Sequence, residues 1–209
     1  MLVIYIASKF TKKSLNAKEQ HEVGCNLRNK LITEYTDLDI ENTAFLKTDR
    51  GKPYINKSNI VFSISHTEGC VICVMYIKNP VKDSVALYKK DLTNIGEGIY
   101  EIPIETKSVI DIGCDVEAIV KKPMKRRLKS IAERYFSIDE LEFYKNTGKT
   151  PESFYKVWTG KESYLKCTGE GLSGISKADT FNLPEGYDLI ELLMKSGELK
   201  YSASICVRS

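Results

Sequence analysis

The constraint that bears hardest on the fold lies in residues 108–120, SVIDIGCDVEAIV, where apolar and polar residues alternate with the period of a β-strand. That period puts Ile110, Ile112, Cys114 and Val116 on one face and Asp111, Gly113, Asp115 and Glu117 on the other. The apolar face must be buried in a core. The acidic face carries a glycine in its middle, and a glycine inside a strand marks a place where another backbone or a ligand comes close. Taken alone, two acids at i and i+2 are weak evidence of a metal site and describe a solvated face better.

Further elements follow from patterning. LVIYIA opens the chain as a β-type run, and a helical pattern spans Ala17–Tyr35 with Val23, Leu27, Leu31 and Ile32 near one face. Asp49-Arg50-Gly51-Lys52-Pro53 reads as a turn. IVFSIS and CVICVMYI read as strands joined at His66-Thr67-Glu68-Gly69, a hairpin. VALYKK and IYEIPIET suggest a further hairpin within 78–108, and LKYSASICVRS alternates as a closing strand. Helices are expected over 124–135, over 138–144 behind the capping box Ser137/Glu140, and from Thr150-Pro151 to the glycines Gly169 and Gly171. Interleaved strands and helices give an α+β or α/β class, and a helix followed by β-type runs in each half hints at internal duplication.

The chain has 209 residues, 42% of them hydrophobic and 28% charged, the profile of a soluble globular protein. The opening residues lack the pattern of a signal peptide, and no apolar run is long enough to span a bilayer, so a cytoplasmic protein with no membrane partner is expected. The six cysteines are scattered through apolar or mixed segments and read as reduced, mostly buried thiols. Cys70 and Cys73 fall on opposite faces of their strand, which does not suit a redox pair or a zinc knuckle.

Trp158, Glu162 and Lys166 share one stripe of the last helix at i, i+4 and i+8, with Lys161 beside it. The only tryptophan on that stripe suggests that the face is packed. His66 lies where a strand gives way to a turn, a usual place for a ligand contact.

In this order, Gly51-Lys52-Pro53, Phe62-Ser63-Ile64-Ser65-His66, Ile112-Gly113-Cys114-Asp115-Val116-Glu117 and Trp158-Thr159-Gly160-Lys161-Glu162-Ser163-Tyr164-Leu165-Lys166 with Gly169-Glu170-Gly171-Leu172 resemble the 4′-phosphopantetheinyl transferase superfamily, specifically its larger, Sfp-like group. The resemblance implies an α+β fold of two similar α/β halves related by pseudo-twofold symmetry. They would comprise residues 1–110, with an inserted hairpin near 78–108, and residues 111–209, with the metal site. It also implies Mg²⁺-dependent transfer of the phosphopantetheine arm of coenzyme A to a serine of an apo acyl or peptidyl carrier protein, with release of adenosine 3′,5′-bisphosphate.

By the same resemblance Asp115, Glu117 and Glu162 would hold Mg²⁺, or Mn²⁺ in its place, and Glu162 is also a candidate general base. Lys166 would face the pyrophosphate and Lys161 would assist. Ser65 and His66 would contact the coenzyme A phosphates, and Arg50, Gly51, Lys52 and Pro53 would hold the adenine or its 3′-phosphate. A further basic contact from the early helix, Lys18 or Arg28, stays open. Three carboxylates about 4 Å apart repel by roughly 4 kcal/mol per pair at an effective dielectric of ~20, which gives a bound cation its purpose. A monomer is expected.

Two rival readings accompany this one. The chain could be an inactive regulatory or scaffold relative that keeps the fold. Alternatively, the basic stretch at 121–129 could bind nucleic acid, although 28 acids against 31 bases argue against nucleic acid as a partner.

Overall fold

In the computed structural model, which describes residues 2–11, 15–81, 87–88, 92–93, 95–106, 108–119 and 125–209, a five-stranded and a three-stranded sheet are backed by helices. The first sheet is built on β1 (Leu2–Phe10). It pairs antiparallel on one side with β5 (Cys70–Ile77) and on the other with β7 (Gly98–Ile104). β4 (Ile60–Thr67) forms the expected hairpin with β5, and β6 (Leu87–Tyr88) lies beyond β7. The second sheet has the order β8 (Asp111–Ala118), β10 (Leu199–Arg208), β9 (Tyr187–Ser196). β2 (Phe45–Lys47) and β3 (Pro53–Ile55) pair around the turn that the sequence places at 49–53.

CVICVMYI is apolar without interruption because β5 is covered on both sides. Cys70, Ile72 and Val74 join Ile4 and Ile6 of β1 in a cluster that includes Ile112, Cys114 and Val116 of β8 and Ala203 and Ile205 of β10. Cys73 and Met75 join Tyr5 and Ala7 in a second cluster under Leu31, Ile32 and Tyr35 of helix α1 (Ala17–Tyr35). The layers therefore run α1, first sheet, second sheet, and then helix α4 (Pro151–Thr168) on the outer face of β8 and β10. Both helices begin where their side chains can satisfy free N–H groups: Asn16 and Glu19 form a capping box on α1, and Thr150 caps α4 ahead of Pro151. Gly169 ends α4 in the left-handed conformation at φ 74°. Helices α2 (Lys125–Tyr135) and α3 (Ile138–Asn146) pack beside α4 through Leu128, Ala132, Tyr144 and Phe154.

Several expectations are corrected. The two strands described within 78–108 run parallel to each other, and β7 is a full member of the first sheet, so they are not the arms of one hairpin. Residues 82–86, 89–91, 94 and 107 of that segment lie outside the described residues, as do 121–124 of the basic stretch. Ile110 precedes β8 and is 56% exposed rather than core. β9 was not foreseen; it pairs with β10 along its whole length through a turn at Gly197, φ 57°. Among the described residues no helix is long and apolar enough to cross a membrane.

Candidate active site

The glycine in IGCDVE is explained by a backbone. A Cβ on Gly113 would lie 2.1 Å from the carbonyl oxygen of Ser163 and 2.3 Å from the amide nitrogen of Cys167, so α4 crosses β8 directly over this residue. The acidic face of β8 is thus turned toward a helix, and the stripe of α4 that carries Glu162 and Lys166 meets Asp115 and Glu117. One carboxylate oxygen from each of Asp115, Glu117 and Glu162 lies within 4.8 Å of the others.

Lys166 places Nζ 2.5 Å from Asp115 Oδ1, and Asp115 is almost fully buried. A second set of contacts comes from the edge of the first sheet, where β4 lies against β8. Ser65 donates to Asp115 Oδ1 at 2.8 Å and Thr67 donates to Glu117 Oε2 at 3.1 Å. The hydroxyls of Ser63 and Ser65 also accept from the backbone N–H groups of Cys114 and Val116, at 3.0 and 3.3 Å, which closes the free edge of β8.

Charge crowding shows in the titration of these groups. Burial, together with the charges of Asp115 and Glu117, pushes the Glu162 carboxyl up to about 7, against the pull of Lys166 and a hydrogen bond from Trp158. Burial and the neighbouring Asp115 raise Glu117 as well. Burial works against the charge of Lys166, but Asp115 outweighs it and holds the ammonium above its ordinary value. For His66, at the end of β4, partial burial and then the Lys166 charge lower the imidazole, so the neutral ring is favoured.

The site fits a hard divalent cation. It offers three oxygen donors to one compensating lysine, and Asp115 Oδ2 is buried with no hydrogen-bond partner among the described residues. From Glu162 and Lys166 a cavity of about 350 Å³ runs along Phe62, Ser63 and Ile64 to Arg50, Gly51, Lys52 and Pro53. Gly51 there has φ 84° and, among the described residues, no neighbour within 4 Å of a Cβ position, so the turn is open to the cavity.

The structure does not bring every candidate to this site in the expected role. Lys161 is fully buried on another side of α4, ion-paired to Glu140 Oε2 at 2.7 Å and donating to the carbonyls of Ile175 and Ala178. The other Glu140 oxygen accepts from the backbone N–H and hydroxyl of Thr180, so the pair is closed and Lys161 has no free reach toward the carboxylates. Lys52 lines the cavity, but its ammonium is held by Asp111 at 2.6 Å and the Cys167 carbonyl at 2.7 Å. Arg50 lines the cavity too, with one donation to the Glu170 carbonyl at 3.4 Å. Arg28 is stacked on Phe45, with its guanidinium carbon 3.5 Å from the ring centre, while Lys18 is exposed on α1. Ser65 is turned to Asp115 and Lys166. Thr67 and the Trp158 hydrogen bond were missed; the signal for Thr67 was the spacing of Ser63, Ser65 and Thr67, one hydroxyl at every second residue of β4.

Residues 111–205 match the sequence model of the 4′-phosphopantetheinyl transferase superfamily. Over longer stretches the chain is similar to three curated bacterial proteins. It is 25% identical over 162 residues to the 4′-phosphopantetheinyl transferase gsp of Aneurinibacillus migulanus, covering 76% of this chain and 52% of the relative. It is 24% identical over 184 residues to a 4′-phosphopantetheinyl transferase of Bacillus subtilis, covering 81% and 65%. The 4′-phosphopantetheinyl transferase HetI of a Nostoc strain is 22% identical over 169 residues, covering 78% and 56%. The chain therefore spans about half to two-thirds of the length of these relatives.

Proposed function

We propose that this chain, whose residues 111–205 match the model of the 4′-phosphopantetheinyl transferase superfamily, moves the 4′-phosphopantetheine arm of coenzyme A onto a serine hydroxyl of an apo acyl or peptidyl carrier protein. One observation carries the reading: three carboxylates from two elements converge beside a lysine at the end of a cavity whose far end presents Arg50 and the open Gly51 turn.

The serine oxygen would attack the phosphorus next to the pantetheine, the anhydride bond would break, and adenosine 3′,5′-bisphosphate would leave with the electron pair. Such a reaction needs alignment and charge stabilisation more than covalent chemistry. Asp115, Glu117 and Glu162 are the residues that would hold Mg²⁺ or Mn²⁺, which supplies neutralisation of the pyrophosphate charge when bound. Lys166, kept protonated by Asp115, supplies fixed positive charge toward the leaving phosphate. Glu162 is also the candidate to take the serine proton; its raised affinity for a proton belongs to the metal-free site, and a bound cation would lower it. Arg50 and the Gly51 turn bound the end of the cavity suited to the nucleotide; His66, at the end of β4 and outside the lining of that cavity, would reach only a phosphate extending beyond it, with the neutral ring as donor.

The division at 110/111 belongs to the same proposal. The first unit provides the cavity turn and β4; the second provides the carboxylates and Lys166. A pseudo-twofold relation between the units, a monomeric state and a cytoplasmic setting are also part of it, the last supported by six unpaired cysteines, five of them buried. The test is nucleotide release. Adenosine 3′,5′-bisphosphate is expected from coenzyme A only when both an apo carrier protein and Mg²⁺ are present. Release independent of the carrier, or none with several carriers, would overturn the reading.

A further inference from the structure

β4 and β8 face each other with matched periods. Ser65 and Thr67 are two residues apart on one strand, Asp115 and Glu117 two apart on the other, and each hydroxyl donates to one oxygen of one carboxylate. Counting valences shows how tightly this is set. The single proton of Ser65 goes to Asp115 Oδ1, and its two lone pairs accept from Lys166 Nζ at 3.0 Å and from the Val116 N–H at 3.3 Å. Ser65 is therefore saturated, which leaves it nothing to offer a phosphate. Asp115 Oδ1 carries both the Ser65 and the Lys166 bonds, while Oδ2 is buried and unpaired among the described residues.

From this we infer that Ser65 and Thr67 determine which cation the site accepts. Ser65, together with Lys166, holds Asp115 Oδ1, and Thr67 orients Glu117 through Oε2, so each strand carboxylate presents chiefly its other oxygen to a cation. Mg²⁺ and Mn²⁺ suit single-oxygen carboxylates, whereas Ca²⁺ takes six to eight oxygens and often both from one carboxylate. The hydroxyl pair thus selects the smaller ions, an outer-contact role of the kind that tunes metal sites elsewhere. The inference rests on the reading of Asp115, Glu117 and Glu162 as a cation site.

Thr67 separates this role from a structural one. Ser65 also closes the edge of β8, but the Thr67 hydroxyl donates to the Glu117 carboxylate and is not among the groups that bond the β8 backbone. Thr67→Val keeps the side-chain shape and removes that one donor. The experiment measures Mn²⁺ binding to the full chain by the loss of the free-ion electron paramagnetic resonance signal, with coenzyme A present and no carrier protein. Mg²⁺ and Ca²⁺ then compete in separate titrations. Wild type is expected to favour Mg²⁺ over Ca²⁺ as competitor. Thr67→Val should narrow that ratio by about tenfold at an unchanged melting temperature, and Thr67→Ser should restore it. An unchanged ratio in Thr67→Val, including equal weakening of both ions, overturns the selectivity role while Mn²⁺ binding by wild type leaves the cation site standing. No Mn²⁺ binding by wild type overturns both.

Discussion

Replacing Gly113 with alanine puts a methyl group where α4 crosses β8. The added carbon would sit 2.1 Å from the Ser163 carbonyl oxygen, 2.3 Å from the Cys167 nitrogen and 2.9 Å from the Cys167 Cα, all backbone atoms that no rotamer can move. Ordinary contacts lie near 3.5 Å, so the helix must retreat by about 1 Å or more. Overpacking typically costs 1–3 kcal/mol, and an obstacle made of backbone places this case at about 3 kcal/mol or above. For a chain of this size that lowers the melting temperature by roughly 6–12 °C. The same retreat carries Glu162 and Lys166 away from Asp115 and Glu117, and a displacement of about 1 Å at a reacting centre costs on the order of a hundredfold in rate. The assay is thermal unfolding together with the transfer rate. Gly96→Ala serves as a control, because among the described residues its methyl would meet only the Tyr100 hydroxyl, at 3.3 Å. A Gly113→Ala protein with wild-type melting and wild-type rate would refute the claim that this crossing sets the site.

Glu162 gives a pH-dependent counterpart in metal-free protein. With its carboxyl raised from 4.5 to about 7 in the fold, the folded state holds a proton that the unfolded chain releases, so this group's contribution to stability falls as pH rises between those values. Glu162→Gln should therefore be more stable than wild type at pH 8 in chelator by up to about 3 kcal/mol. The gap should close toward pH 4 and shrink when Mg²⁺ is added; melting curves with no gap at pH 8 would contradict this. Lys161→Met should destabilise the chain by about 3–5 kcal/mol in urea unfolding by stranding buried Glu140, yet leave the turnover of folded protein unchanged; a turnover loss would return Lys161 to the active site. A thiol reagent should label Cys25 rapidly and the five buried cysteines only on unfolding, with Cys70 and Cys114 pushed up to about 12 and about 11 by burial. A second fast equivalent would be inconsistent with the packing.

Much of this arrangement was legible because local rules wrote it. The bounds of α1, the caps of α3 and α4 and the hairpin of β4 and β5 follow from short-range patterns. Gly113 on the acidic face of its strand announced a close approach, although not that the neighbour would be α4. Lys161 misled because adjacency in sequence is not adjacency on a helix: a step of one residue turns the side chain by about 100°, away from the face that bears Glu162. β9 escaped because YDLIELLMKS is rich in residues that also suit helices, and only pairing with β10 decides its state. The contacts of Ser65 and Thr67 join strands about fifty residues apart at the meeting of two sheet edges, a non-local fact that periodicity alone does not encode.

The most direct test of the account is the intact mass of an apo carrier protein after incubation with this chain, coenzyme A and Mg²⁺, run in parallel with Glu162→Gln. The account predicts a phosphopantetheine-sized gain on one serine with wild type, abolished by chelator and reduced at least a hundredfold in rate by the substitution. No gain on any of several carriers, or a gain that Glu162→Gln leaves untouched, would contradict it.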